Sequence, residues 1–373
     1  MDAFVLNGIV YPLQQLAAIS ASPQLSAYEQ QVIQFAQHWL AGQETFTLHT
    51  SGSTGTPKAI QLTRAQMITS AHWTGRALGL QPGDRALVCL SIEYIAGLMM
   101  LVRGFELGLH LTIIDPDSQP LAAFAPDTHF DFTAMVPLQL QTTLHGAAHA
   151  RAILDRMKGV LIGGAPVSLA LEQHAQQVQA PLYHTYGMTE TVSHVALRRM
   201  NGPERSDYFV PFDEVHLGLD VRGCLTITGA VTRGETLHTN DRVEFRPDGT
   251  FRWLGRIDHV INSGGVKVQI EQVEAALEAW LCHYQAGHYA DRRFFVGALE
   301  DARLGQAVVA VIEGEPFGGG ESGTAELAAT IRRHLQAVLT RYAVPRQVYF
   351  VPQLLETPTG KIDRTANLAR LVV

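Results

Sequence analysis

Charge is scarce in this chain of 373 residues: Asp, Glu, Lys and Arg make up only 17% of it. That is too little for long disordered tails. The balance is acidic, with 28 Lys and Arg against 35 Asp and Glu and a formal net charge of -7. No block of basic residues offsets it, which excludes broad neutralisation of a nucleic-acid backbone but leaves room for a local basic pocket holding one small anion. Cysteine is scarcer still. Cys89, Cys224 and Cys282 are odd in number, far apart and without metal-type spacing, so neither a disulfide framework nor a cysteine metal site is expected. They read as buried apolar residues of a protein in a reducing compartment. Long apolar runs are also missing, since "YIAGLMMLV" is cut by Arg103 after nine residues. No membrane span is expected. The opening "MDAFVLNGIVYPLQQL" has neither a basic n-region nor a small-residue cleavage site, and the expected location is cytoplasmic. Nothing in the sequence speaks to oligomeric state.

Hydrophobic residues, by contrast, reach 46%, enough for at least one large core, and the length suggests about two domains. Residues 22–41 predict a helix, with Ser22 as cap, Pro23 in the first turn, and Leu25, Tyr28, Val32, Phe35 and Trp39 at helical spacing. "ETFTLHT" alternates as a strand does, and "RAQMITSAHWTGRALGL" returns to helical periodicity. Short apolar runs at "RALVCL", "HLTIID", "DFTAMV" and "RMKGVLIGG", with helical patterns between several of them, predict an α/β domain on a largely parallel sheet. After about residue 240 the pattern shifts to short strands, with Asp248-Gly249 as a hairpin turn. Helical faces follow at Ile270, Val273, Leu277 and Trp280 and at Leu327, Ile331, Leu335 and Val338, flanking strands "FFVGALE" and "AVVAVIEG". This is a smaller α+β unit, in which "GEPFGGGESG" is expected to be a loop. The expected boundary lies between Gly255 and Asp258, giving domains 1–255 and 256–373.

Between the predicted strand and helix near the front lies "TLHTSGSTGTPKAI". Glycine, serine and threonine there can turn backbone amides and hydroxyls inward as a nest for a polyphosphate, with Lys58 as a point charge at the rim. The order is not that of a P-loop, because Pro57 precedes the lysine and Ala59 follows it, nor does it fit G-x-G-x-x-G. A solvated surface turn has the same composition.

Other stretches narrow the choice. "TSGSTGTPK" closely resembles the phosphate-binding signature of the adenylate-forming superfamily, which contains acyl-CoA synthetases, adenylation domains of peptide synthetases and luciferases. "GGAP" at 163–166, "YGMTET" at 186–191, "TNDRV" at 239–243, "GRIDHVINSGGVKV" at 255–268 and "PTGKIDR" at 358–364 match it in the same order. The resemblance runs from about residue 46 to residue 364, whereas members of the superfamily commonly carry a longer segment before the phosphate loop. It implies a large α/β N-terminal domain and a smaller α+β C-terminal domain, the adenylate-forming enzyme fold, with ATP, Mg²⁺, coenzyme A and a small-molecule carboxylic acid as partners.

It also implies roles for single residues. Thr50, Ser51, Gly52, Ser53, Thr54, Gly55 and Lys58 would cradle phosphates. Thr189 would bond the α-phosphate and Glu190 would hold Mg²⁺, a hard cation that takes oxygen ligands. Tyr186, Gly187 and Gly163, Gly164 and Ala165 would flank the adenine. Asp241 would accept the ribose hydroxyls and Arg256 would serve the ribose and phosphate region. Lys361 would be delivered by the small domain to stabilise the charge developing at the transferring phosphorus. The small domain would turn about Asp258, and Gly264 and Gly265 would leave room for the pantetheine arm. A tight turn or β-bulge is the alternative reading of that glycine pair.

For the acid, "YGMTETVSHVALRRMNG" together with "GRIDHVINSGGVKV" resembles the o-succinylbenzoate-CoA ligases of menaquinone biosynthesis. Such an acid has a second carboxylate to be recognised and not activated. His194, Arg198 and Arg199 are candidates to receive it, a guanidinium fork being suited to a carboxylate, with Ser193 a further candidate. Strand alternation sends Arg198 and Arg199 to opposite faces. Loading of a carrier-protein thiol, or nucleotide binding without catalysis, are the competing readings.

Overall fold

The computed structural model describes residues 1–19, 24–49, 59–284, 289–315, 320–357 and 362–371. Its main element is a nine-stranded sheet. Ala3–Leu6, His110–Ile113, Arg85–Val88, Phe132–Met135, Gly159–Ile162 and Leu182–Gly187 lie side by side and parallel. Ile9–Pro12 closes one edge antiparallel, and His194–Arg199 followed by Val210–Pro211 closes the other. Phe132–Met135 and Gly159–Ile162 are buried at every position. Such short, continuously apolar strands are what a sheet covered on both faces requires.

Helices Arg64–Leu78 and Ile95–Leu107 pack together over this sheet. Their contact is close at Gly75, where a Cβ would stand 2.9 Å from Leu107. Three cysteines are free and buried, as expected of apolar residues. Among the described residues no helix is long and apolar enough to cross a membrane.

A four-stranded antiparallel sheet of His216–Leu219, Cys224–Thr228, Leu237–Phe245 and Phe251–Arg256 follows, its last turn made at Asp248-Gly249 with Gly249 at φ 83°. Beyond it, Val260–Ser263, Val266–Gln269, Phe294–Asp301, Gly305–Glu313 and Gln347–Val351 form a five-stranded sheet. Helices Ile270–His283 and Gly320–Val338 share a core with it through Val273, Leu277, Ile331 and Leu335. Each fully buried Leu or Ile contributes about 1.5–3 kcal/mol. The C-terminal domain therefore has a core of its own beside the large α/β domain.

Four sequence expectations are corrected. The first helix begins at Ala27, because Ser26 accepts a bond from the Glu29 amide and the Glu29 carboxylate accepts one from the Ser26 amide; Ser22 and Pro23 lie outside the described residues. The segment 50–58 joins two antiparallel strands, Thr45–His49 and Ala59–Thr63, not a strand and a helix. The helix starts only after the second strand, capped by Thr63. Gly320–Gly323, expected in a loop, is already helical, and the sheet begun at His216 was not anticipated.

Candidate active site

The chain leaves the carboxyl ends of two neighbouring parallel strands, Gly159–Ile162 and Leu182–Gly187, into the segments Gly163–Ala165 and Met188–Thr191. Crevices at such strand ends are where open α/β sheets bind ligands. Glycine is enforced here by space. A Cβ on Gly163 would stand 2.2 Å from Thr185 Oγ1, and one on Gly187 would stand 2.2 Å from the Ser193 carbonyl oxygen. Gly164 has φ +83°.

Thr189–Thr191 form a single 3₁₀ turn, in which Glu190 is exposed. The chain then reverses at Val192, buried and β-branched yet at φ 67° and ψ −56°. The Ser193 amide donates to the Thr191 carbonyl at 2.7 Å, completing a γ-turn of the strained hand. Conformations of this kind cost about 1–3 kcal/mol and persist only where the surroundings fix them. The reversal turns Glu190 outward and sends Ser193 and His194 back along Leu182–Gly187, His194 opposite Gly187.

Across the crevice, Asp241 and Arg256 face each other on antiparallel strands. Asp241 is 6% exposed and gathers donors: the Tyr186 hydroxyl at 2.6 Å and the Trp253 indole at 3.2 Å, with the Arg256 guanidinium at 3.8 Å. Burial and the neighbouring Asp241 push the Tyr186 phenol far above its ordinary pKa, so it donates at every working pH. Arg256 grips Asp258 with Nε and Nη2, at 2.9 and 2.8 Å. Burial works against that carboxylate's charge, yet the guanidinium fork holds its pKa below the ordinary value. Asn240 also donates to Asp258, at 3.2 Å. Asp258 thus touches residues on both strands that precede it.

Arg198 and Arg199 do diverge. Arg198 pairs with Glu172 and lies 3.2 Å from His184 Nδ1, with Arg205 as a second partner of Glu172 at 3.6 Å. Arg199 bonds the Asn201 carbonyl and the Tyr183 hydroxyl. Neither needs an external anion.

Arg103, which sequence reasoning passed over, is placed differently. It is 1% exposed on helix Ile95–Leu107 and has no ion pair among the described residues. Its Nη2 donates to Ser193 Oγ at 2.9 Å and its Nε to Thr74 Oγ1 at 3.2 Å. Burial lowers its pKa from 12.5 to about 9, which still leaves it charged at neutral pH. His194 sits between the same hydroxyls, 3.1 Å from Thr74 and 3.2 Å from Ser193, and burial together with Arg103 keeps it neutral. One helical turn before Thr74, the buried Ser70 hydroxyl has no partner among the described residues. A buried cation without a counter-charge is costly, and so is a buried hydroxyl without a partner. The sequence did hold the signal, in the arginine that ends its most apolar run.

Gly264 and Gly265, at φ 59° and 80°, are the two residues of a type I′ turn joining Val260–Ser263 to Val266–Gln269, so the tight-turn reading holds. A Cβ on Gly264 would stand 2.7 Å from the Tyr342 ring. Among the described residues no group of three or more metal-ligating side chains occurs. Glu190 alone suits magnesium, which is bound by one or two carboxylates with the remaining ligands from phosphates and water. Thr50 through Lys58, including Ser51, Gly52, Ser53, Thr54 and Gly55, and likewise Lys361, lie outside the described residues.

Comparison with known proteins matches residues 13–233 to the AMP-binding enzyme family and residues 285–361 to the AMP-binding enzyme C-terminal domain. A probable 2-succinylbenzoate–CoA ligase of Mycobacterium tuberculosis is 32% identical over 343 residues, covering 86% of this chain and 83% of the relative. An acyl-CoA synthetase (AMP-forming)/AMP-acid ligase II-like protein of Dyadobacter fermentans has a solved structure with 46% identity and TM-score 0.61, covering 95% of this chain and 97% of that one. The o-succinylbenzoate-CoA synthetase of Bacillus subtilis, solved with its acyl-adenylate intermediate, shares the fold at 20% identity and TM-score 0.64, over 86% and 68% of the two chains. The chain belongs to the AMP-binding enzyme family, within the adenylate-forming superfamily.

Proposed function

We propose that this AMP-binding enzyme is an ATP-dependent acid–CoA ligase whose acid is 2-succinylbenzoate. In the first step a carboxylate oxygen of the acid attacks the α-phosphorus of ATP and the bond to pyrophosphate breaks. In the second, the sulfur of CoA attacks the acyl carbon, AMP leaves, and the thiol proton passes to solvent.

The residues divide that work. Asp241 accepts the two ribose hydroxyls on lone pairs left free by Tyr186 and Trp253, while Tyr186, Gly187 and the Gly163–Ala165 backbone flank the adenine. Thr189 bonds the α-phosphate, and Thr50 to Gly55 with Lys58 surround the β- and γ-phosphates. Glu190 would hold magnesium, which would supply positive charge beside the departing pyrophosphate. Lys361 approaches the transferring group, supplying positive charge where negative charge grows. Domains 1–255 and 256–373 then change orientation about Asp258, whose bonds to Arg256 and Asn240 must loosen, and the Gly264-Gly265 turn makes way for pantetheine.

The observation that carries the substrate reading is Arg103, a buried guanidinium with no carboxylate partner among the described residues, bonded to the Ser193 hydroxyl that also contacts His194. The second carboxylate of 2-succinylbenzoate supplies what it lacks. A panel of acids assayed for ATP-dependent pyrophosphate release and then for CoA thioester tests this. 2-Succinylbenzoate is expected to lead, and Lys361→Ala to abolish release while ATP still binds. Preference for benzoate or fatty acids would overturn the substrate; unchanged turnover in Lys361→Ala would overturn the mechanism.

A further inference from the structure

Arg364 closes "PTGKIDR", and nothing said so far uses it. It lies three residues after Lys361 at the start of helix Arg364–Ala369. Its Nη1 stands 2.9 Å from Glu274 Oε1, its Nη2 donates to Glu274 Oε2 at 3.2 Å, and Nη1 also reaches the Val296 carbonyl at 3.0 Å. Glu274 accepts a further bond from the Val296 amide at 2.8 Å. Bidentate pairing of this kind fixes direction as well as distance.

The described residues on either side of 358–361 are held too. Glu356 and Ile362 form an antiparallel bridge around residues 357–361. Asn367 holds Leu355 through both its amide and its carbonyl, each at 2.9 Å, and the Asp363 amide donates to the Leu355 carbonyl at 2.9 Å. Ile362 directly follows Lys361 in the sequence.

The partner helix, Ile270–His283, makes this more than a surface ion pair. Glu271, Glu274 and Glu278 recur at i, i+3 and i+7 and so share one face. Glu271 accepts from the Arg256 amide at 3.3 Å, beside the proposed hinge, and Glu278 accepts from the Leu169 amide of the large domain at 2.7 Å. One rigid rod thus touches the hinge, the lysine-bearing tail and the large domain. We propose that Arg364 and Glu274 are positioning residues for Lys361: their ion pair sets the lysine's reach relative to the helix that registers the orientation of the domains. This rests on Lys361 serving adenylation, as proposed above.

The two half-reactions separate a positioning role from a merely structural one. Adenylation is followed by acid-dependent ATP–pyrophosphate exchange, and thioester formation by adding CoA to preformed acyl-adenylate. Arg364→Ala is expected to lower exchange about 10- to 100-fold, the scale of an ångström of misplacement. Thioester formation from acyl-adenylate should change less than about twofold, because that step uses no interaction of the lysine. Glu274→Gln should act in the same direction with smaller effect, and Arg364→Lys should recover part of the loss. In a Lys361→Ala background, Arg364→Ala should add nothing. Equal losses in both half-reactions with a lowered melting temperature, or additive losses in the double variant, would overturn the proposal while leaving the ligase reading intact. Unchanged exchange in Lys361→Ala alone would overturn the ligase mechanism and this proposal with it.

Discussion

Two arginines are buried near the acid side of the crevice, each beside a histidine kept neutral, and they are built on opposite principles. Arg198 is 9% exposed and has Glu172 beside it, with burial and the arginine's charge pushing His184 down to about 3. Arg103 is 1% exposed and, among the described residues, hydrogen-bonds hydroxyls and a thioether and no carboxylate. A buried cation with its own carboxylate is a structural element. One without keeps a charge still to be met, on which the role proposed for Arg103 draws, and the difference teaches that the partner, not the depth or the residue type, separates the two.

The largest effect that should sharpen this contrast is on stability. Arg198→Leu strands Glu172 with only the more distant Arg205, and urea melts should show a loss of about 3 kcal/mol. Arg103→Leu removes an uncompensated charge, so its melt should stay within about 1 kcal/mol of the parent or rise. If both variants melt alike, the contrast is broken.

Kinetics should reverse the order. Arg103→Leu is expected to lower kcat/KM for 2-succinylbenzoate about 100-fold, corresponding to about 2.7 kcal/mol of charge-assisted hydrogen bonding, and to leave acids without a second carboxylate nearly unaffected. Arg198→Leu, compared at a temperature where it is folded, should leave the ratio between those acids unchanged.

The smallest effect, taken per pH unit, is on pH. His184 titrates near 3 in the folded protein and near 6.5 when unfolded, so between these values the unfolded chain binds more protons. Stability is therefore lost as pH falls from 6.5 towards 3, by about 1.4 kcal/mol per unit, and His184→Gln should flatten that slope in urea melts. Burial and Arg103 give His194 a shift in the same direction.

Which parts of this were legible beforehand follows from what each feature depends on. The parallel strands Arg85–Val88, Phe132–Met135 and Gly159–Ile162 were readable because each is a short apolar run buried on both faces. The Gly249 turn was readable because its backbone chemistry is local. Ser26 was missed as a helix cap since its capping box competes with an equally plausible Ser-Pro that begins four residues earlier, at Ser22. The strand Ala59–Thr63 was missed because "AIQLT" is paired only by its antiparallel neighbour, whose register no local pattern records. Asp241 stood out only as part of "TNDRV"; that Trp253 and Tyr186 converge on it is a matter of pairing between distant strands. Arg103 and Thr74 lie on separate helices and meet Ser193 only after packing, so no spacing in the chain could join them.

The strained reversal at Val192 has a consequence for how such an enzyme can change its diet. Three positions separate the residue proposed for the metal from His194, and the bend between them is closed twice over, by the Ser193 amide on the Thr191 carbonyl and by the Thr191 hydroxyl on the Ser193 carbonyl, both at 2.7 Å. Any replacement that reshapes the acyl cavity from this hairpin is felt at the nucleotide as well. New specificities should therefore arise through paired changes at both ends of the Arg103–Ser193 bond, since a change on either side reaches this hairpin.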